Sequence, residues 1–201
     1  MGFAATPRRR FGLAAAAALA LGALAWVSSA ARPFDPANPR VTLADIEATV
    51  SQKYPVPEVT GTELADRLGR ADTLLFDVRE PDEFAQSHLT GARRIDPEMP
   101  AAEFQAAFGP EIKGRTVVFY CAVGVRSGRM LARVQPVLAS QGAKASYNLR
   151  GGIFRWHASG RSLVADGLNG SAPRTIHPYD AAWSTLLDRT LAASTTSVSP
   201  R

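Results

Sequence analysis

One cysteine, Cys121, and three histidines are the only thiol and imidazole groups in 201 residues. A single cysteine excludes an internal disulfide and leaves an intermolecular pair or a reactive thiol. His88, His157 and His177 show no metal-ligand spacing, so no metal is expected, and no other cofactor either. Aromatic residues make up 8% of the chain and are not interleaved with a basic stripe. Nucleic acid is therefore not expected as a partner, although 23 basic residues outnumber 18 acidic ones. No internal repeat is present.

Part of that positive charge belongs to the first segment. Arg8-Arg9-Arg10 form a basic start, and Phe11 to Val27 is an uncharged, alanine- and leucine-rich run of 17 residues. Ser28-Ser29-Ala30 follow as small residues at a cleavage position. This is the layout of a secretory signal peptide over residues 1–31, with a partial twin-arginine match weakened by Gly12. Seventeen residues is short for a bilayer span, which needs about 20. Cleavage and a periplasmic product are therefore preferred over an uncleaved membrane anchor. Without the three arginines the net charge falls from +5 to +2.

What remains suits one domain. Residues 32–58 read as a proline-containing linker followed by a helix over Val41–Tyr54, with Thr42 as its cap. Thr60 to Glu63 has capping-box spacing and opens a short helix through Leu68. Leu74–Val78 is a strand, and Pro81 to Phe84 is a helix start with acids where the dipole favours them. Ala101–Phe108 is a helix closed by Gly109-Pro110. Ala143–Leu149 is a strand, and Tyr179–Leu191 is an amphipathic helix after a loop over 167–174. The Ser/Thr-rich end, 192–201, is expected to be disordered. Strands alternating with helices give an α/β fold with a mainly parallel sheet flanked by helices.

The most informative stretch is Thr116 to Ser127, TVVFYCAVGVRS. Val117 to Tyr120 is a buried-strand pattern that ends on Cys121, and a helix is expected from Ser127 to about Gln141, kinked or broken near Val134 by Pro136. A strand running through a tight loop into a helix start points several backbone N–H groups at one place. The helix dipole adds positive charge there, so a thiol at the head of the loop should be partly thiolate near neutral pH. The bland alternative, an inert buried cysteine, fits poorly with a position before a glycine and an arginine.

Four segments in register resemble the rhodanese homology domain. They are Asp77-Val78-Arg79 with Glu83-Phe84, then Ser87 to Ala92, then Cys121 to Ser127, and finally Gly151-Gly152 with Trp156. The resemblance covers Val59 to Val164, and the domain is drawn at residues 59–165 with a packed C-terminal segment over 166–191. Ser87 and Leu89 depart from the usual pattern.

The resemblance implies a sulfurtransferase in which Cys121 carries sulfur as a persulfide. The loop residues Ala122, Val123, Gly124, Val125, Arg126 and Ser127 would bind the substrate. Asp77 and Arg79 would support the loop as an ion pair. Arg126 has two open roles, orienting an anionic donor or bonding the loop's own carbonyls, and the second is preferred. The partners implied are a small anionic sulfur donor and a thiol or protein acceptor. A persulfide or polysulfide donor is the alternative to thiosulfate, because Ala122, Val123 and Val125 add no charge. Cys121 and Arg126 are separated by four residues; the phosphatases and arsenate reductases of this superfamily resemble a loop one residue longer. Phosphate or arsenate chemistry, and a binding or sensing module without turnover, are the competing functions.

Overall fold

Thr42 starts the first helix, α1 (Leu43–Lys53), by a reciprocal cap. Its hydroxyl accepts from the Asp45 N–H at 3.2 Å, and the Asp45 carboxylate accepts from the Thr42 N–H at 2.8 Å. The same device, with Thr60 and Glu63, follows β1 (Glu58–Val59) and opens α2 (Gly61–Ala65). The chain continues through β2 (Thr73–Asp77), α3 (Pro81–Gln86), β3 (Arg93–Arg94), α4 (Ala101–Ile112) and β4 (Thr116–Tyr120). It ends with α5 (Val125–Ser140), β5 (Ala145–Leu149), α6 (Gly152–Ala158) and α7 (Ala181–Thr196). The computed structural model describes residues 1–2, 35–165 and 175–196. The chain divides into two units, Met1–Pro33 and Phe34–Arg201, and every element named here belongs to the second. The signal-like segment, the loop over 167–174 and the last residues, 197–201, lie outside the described residues.

The five strands form one parallel sheet in the order β1-β5-β4-β2-β3. β4 lies at its centre and all five of its residues are buried, as a strand covered on both faces must be. Its side chains alternate between two cores. Val118 and Tyr120 pack with α1, α6 and α7 through Ile46, Phe154 and Leu186. Val117 and Phe119 pack on the other face with α4 and α5, through Phe104, Ile112, Met130 and Leu131. The result is a sheet between two helical layers, with the carboxyl end of β4 delivering Cys121 to the sheet's rim.

Three helices continue past the point where the sequence suggested an end or a break. α4 runs through Gly109-Pro110 to Ile112, because Phe104, Phe108 and Ile112 form one stripe at four-residue spacing that packs into the core. The carbonyl that Pro110 leaves unpaired, on Ala106, lies on an exposed residue. α5 likewise continues through Pro136, and Ala132, four residues before it, is exposed. α7 extends to Thr196, five residues into the stretch expected to be disordered. Ala192 and Ala193 favour helix, and the Ser194 hydroxyl bonds back to the Thr190 carbonyl at 2.8 Å. Two-residue strands β1 and β3 also appear where no strand was expected. Arg93 and Arg94 on β3 are exposed, a charged edge that discourages pairing with another sheet.

At the end of β2 the side chains of Asp77 and Arg79 are fully buried and paired. Arg79 Nε donates to Asp77 Oδ1 at 2.9 Å and Nη2 donates to Oδ2 at 2.6 Å. Nη2 also donates to the Ser87 carbonyl at 2.6 Å, which ties the strand to the end of α3. Burial works against the charged guanidinium, but the Asp77 hydrogen bond and charge outweigh it and raise the Arg79 pKa. Truncating one partner strands the other as a buried charge. Asp77→Ala is therefore expected to lower unfolding free energy by about 3–5 kcal/mol, measured by urea denaturation; a loss below about 1 kcal/mol would contradict the bracing role.

Candidate active site

Cys121 follows β4 directly and is 1% exposed. The chain turns at Gly124, whose φ of 101° is a left-handed conformation that glycine adopts without strain. That turn brings the Gly124 N–H to 3.2 Å from Cys121 Sγ, where it donates to the sulfur. α5 begins at Val125, two residues before the expected start, so Arg126 stands in the first turn and the positive end of the helix faces the loop.

The loop is held from outside by four hydrogen bonds. Asn148, at the end of β5, accepts from the Ser127 hydroxyl at 2.7 Å and donates to the Gly124 carbonyl at 3.2 Å. The N–H groups of Ile153 and Phe154, in the first turn of α6, donate to the carbonyls of Cys121 and Ala122 at 2.9 and 3.0 Å. Gly152 allows that approach: its φ is 55°, and a Cβ there would overlap both of those carbonyl oxygens. Gly152, the second of the paired glycines, is thus a steric requirement of the cysteine loop, whereas a Cβ on Gly151 would meet Glu47 and Arg155.

Arg126 gives its two Nη atoms to a neighbouring helix and not to the loop's own carbonyls. Its two Nη atoms donate to the two carboxylate oxygens of Glu83 on α3, at 2.6 and 2.8 Å. Glu83 is 1% exposed. The Glu80 carboxylate lies 4.0 Å from the same guanidinium, and the Tyr179 ring lies 5.2 Å from it. Burial alone would depress the Arg126 pKa; the Glu83 bond and the Cys121 charge overcome it and raise the value instead.

These groups surround a pocket of about 200 Å3 lined by Cys121, Ala122, Val123, Val125, Arg126, Tyr179 and Trp183. Five of the expected site residues meet there. Gly124 and Ser127 lie behind the pocket as loop supports, and Asp77 with Arg79 braces α3 from below. Glu83, Asn148, Tyr179 and Trp183 were not singled out from the sequence. Glu83 had a signal, since it belongs to the segment after Arg79 that carries the family resemblance. His88 Nδ1 donates to the Phe84 carbonyl at 3.0 Å, and the imidazole stacks on the Phe84 ring.

A rhodanese-like domain model matches residues 60–159. A sulfurtransferase of Allochromatium vinosum is 35% identical over 111 residues, 55% of this chain and 96% of that protein. The chain belongs to the rhodanese-like domain family. Protein YqhL of Bacillus subtilis is 36% identical over 97 residues, covering 48% of this chain and 71% of that one. A thiosulfate sulfurtransferase of Pseudomonas aeruginosa is 28% identical over 149 residues, 66% of this chain and 55% of the relative. The crystal structure of a thiosulfate sulfurtransferase from Pseudomonas aeruginosa aligns with a TM-score of 0.47 at 20% identity, over 82% of this chain and 28% of that one. The rhodanese-like match ends at residue 159, so Tyr179 and Trp183 reach the cysteine from beyond it. Within the match, Gly152→Ala should push the loop carbonyls away and strain a left-handed residue, costing about 1–3 kcal/mol. Thermal unfolding and alkylation kinetics of Cys121 should both change; an unaltered alkylation rate would show that the loop does not depend on this contact.

Proposed function

We propose that this rhodanese-like domain transfers sulfane sulfur through a persulfide on Cys121. The observation that carries the reading is the sulfur itself: Cys121 Sγ stands at the head of α5, accepts from the Gly124 N–H at 3.2 Å and lines a small pocket. An anionic sulfur is favoured by that donor and by the helix dipole. Relatives named sulfurtransferase support the same class.

The Cys121 thiolate attacks the outer sulfur of the donor and forms a new sulfur–sulfur bond. The donor's own bond to that sulfur breaks, and its electron pair leaves with the remainder, sulfite in the case of thiosulfate. A thiol acceptor, free or on a protein, then attacks the terminal sulfur of the persulfide and returns Cys121 to thiolate. Two half-reactions on one nucleophile give ping-pong kinetics. Arg126, paired with Glu83, fixes the mouth of the loop.

Intact-mass measurement after incubation with a sulfane donor should show one added sulfur, and Cys121→Ser should show none. The variant should unfold within about 1 kcal/mol of the wild type, since the side chains are nearly the same size. Hydrolysis of an aryl phosphate that depends on Cys121, without sulfur loading from any donor, would overturn the assignment in favour of phosphoryl chemistry.

We further propose that the protein is exported, supported by the order of basic, apolar and small residues in its first 31 positions. N-terminal sequencing of protein from the host envelope should find a start near Ala31 or Arg32. An intact Met1 or Gly2 end in the membrane fraction would replace cleavage with anchoring.

A further inference from the structure

Tyr179 and Trp183 give the cysteine pocket an apolar wall from a part of the chain outside the family match. Trp183 lies in the first turn of α7, where Asp180 accepts from the N–H groups of Ala182 and Trp183 at 2.9 and 3.0 Å and fixes the helix start. Leu186 and Leu187, one turn on, are buried in the core and hold the helix in place. Tyr179 is the only non-glycine residue with positive φ among the described residues, at 76°. Its N–H donates to His177 Nδ1 at 3.1 Å, and its ring, 53% exposed, lies beside the Arg126 guanidinium. A left-handed tyrosine is costly and is kept only where the surroundings enforce it. Here the enforced conformation places an aromatic ring at the mouth of the pocket.

The charge in the pocket points the same way. Arg126 is the one charged residue in the lining, and both of its Nη atoms are engaged by the Glu83 carboxylate. Glu80 adds a second carboxylate at 4.0 Å. A dianion entering this space would meet a cation already neutralised and two acids beside it. An apolar group would meet valine, alanine, tyrosine and tryptophan. The volume, about 200 Å3, is of the order that accommodates one aromatic ring; an apolar cavity of roughly 150 Å3 binds benzene.

We infer that Tyr179 and Trp183 select organic sulfane donors, thiosulfonates or persulfides with an apolar body about the size of one ring, over inorganic thiosulfate. The inference rests on the sulfur-transfer reading above. With a thiosulfonate, the Cys121 thiolate bonds to the outer sulfur, and the sulfur–sulfur bond of the donor breaks with its electron pair on the departing sulfinate. Both sides carry two negative charges, and no external oxidant or reductant takes part.

The test measures the rate at which one sulfur is added to Cys121 in the full chain, by quenched intact-mass spectrometry, with benzenethiosulfonate and with thiosulfate at equal concentration. The wild type should load from benzenethiosulfonate at least about tenfold faster, a difference of ~1.4 kcal/mol in barrier. Trp183→Ala should reduce that ratio to below about threefold by slowing benzenethiosulfonate alone. Tyr179→Gly should do the same, and it also relieves the left-handed backbone, so a loss cannot be ascribed to misfolding. Equal or faster loading from thiosulfate in the wild type would overturn the inference and leave sulfur transfer standing, as would a preference that survives both substitutions. Failure of both donors to add sulfur would instead remove the sulfur-transfer reading on which the inference stands.

Discussion

The fork between Arg79 and Asp77 is the contact on which the arrangement of the site depends. It is wholly buried, and a buried pair is more often neutral than stabilising compared with apolar residues of the same shape. Its value lies in position. One guanidinium joins the end of β2 to the carbonyl of Ser87 at the far end of α3, so the short helix cannot shift along the sheet rim. α3 carries Glu83, Glu83 holds Arg126, and Arg126 closes the cysteine loop. Two charged pairs in series thus relate the loop after one central strand to the loop after its neighbour. Tyr120 joins them, since its hydroxyl accepts from the Leu89 N–H at 3.0 Å and sits near the Asp77 charge. Burial first, and that charge second, push the tyrosine pKa well above its ordinary range and keep the phenol protonated.

The loop around Cys121 is organised by backbone groups more than by side chains. α6 spends two of its first N–H groups on the loop carbonyls, which would otherwise surround the sulfur with negative ends of dipoles. The Gly124 N–H is left to face the sulfur. Asn148 serves both sides, accepting from α5 and donating to the loop. The side chains at the variable positions are small and apolar, so they shape a space without adding charge to it.

Much of this was readable from residue order. The β-branched runs of β2 and β4, the reciprocal caps at Thr42 and Thr60, and the glycine and arginine after Cys121 are local signals whose physical cause lies within a few residues. What was not readable depended on distant partners. Nothing in the neighbourhood of Arg126 announces that a carboxylate 43 positions away will occupy both ends of its guanidinium. Pro110 was read as closing its helix and Pro136 as kinking or breaking its own because their cost is local, whereas the benefit of continuing came from burying Ile112 and Leu138 against the sheet. β1 and β3 are two residues each, too short for any alternation to show. Trp183 looked like one more member of an apolar helical stripe, and only the fold shows that this end of the stripe reaches the cysteine.

The attachment of α7 carries a consequence for the integrity of the whole molecule. Arg189 Nη2 donates to the carbonyls of Pro36, Asn38 and Val41, at 3.1, 3.2 and 3.0 Å, and so gathers the segment leading into α1 onto the last helix. The stretch 36–41 and the last described helix are thereby fastened by one guanidinium on the helix that also bears Trp183. Local opening of α7 would release the entry segment and the aromatic wall together. A fragment trimmed to the family boundaries would keep Cys121, its glycines and its arginine, and would lose both the wall and the clasp. The family-matched half of the sequence holds Cys121, and two aromatic residues from beyond it complete the pocket.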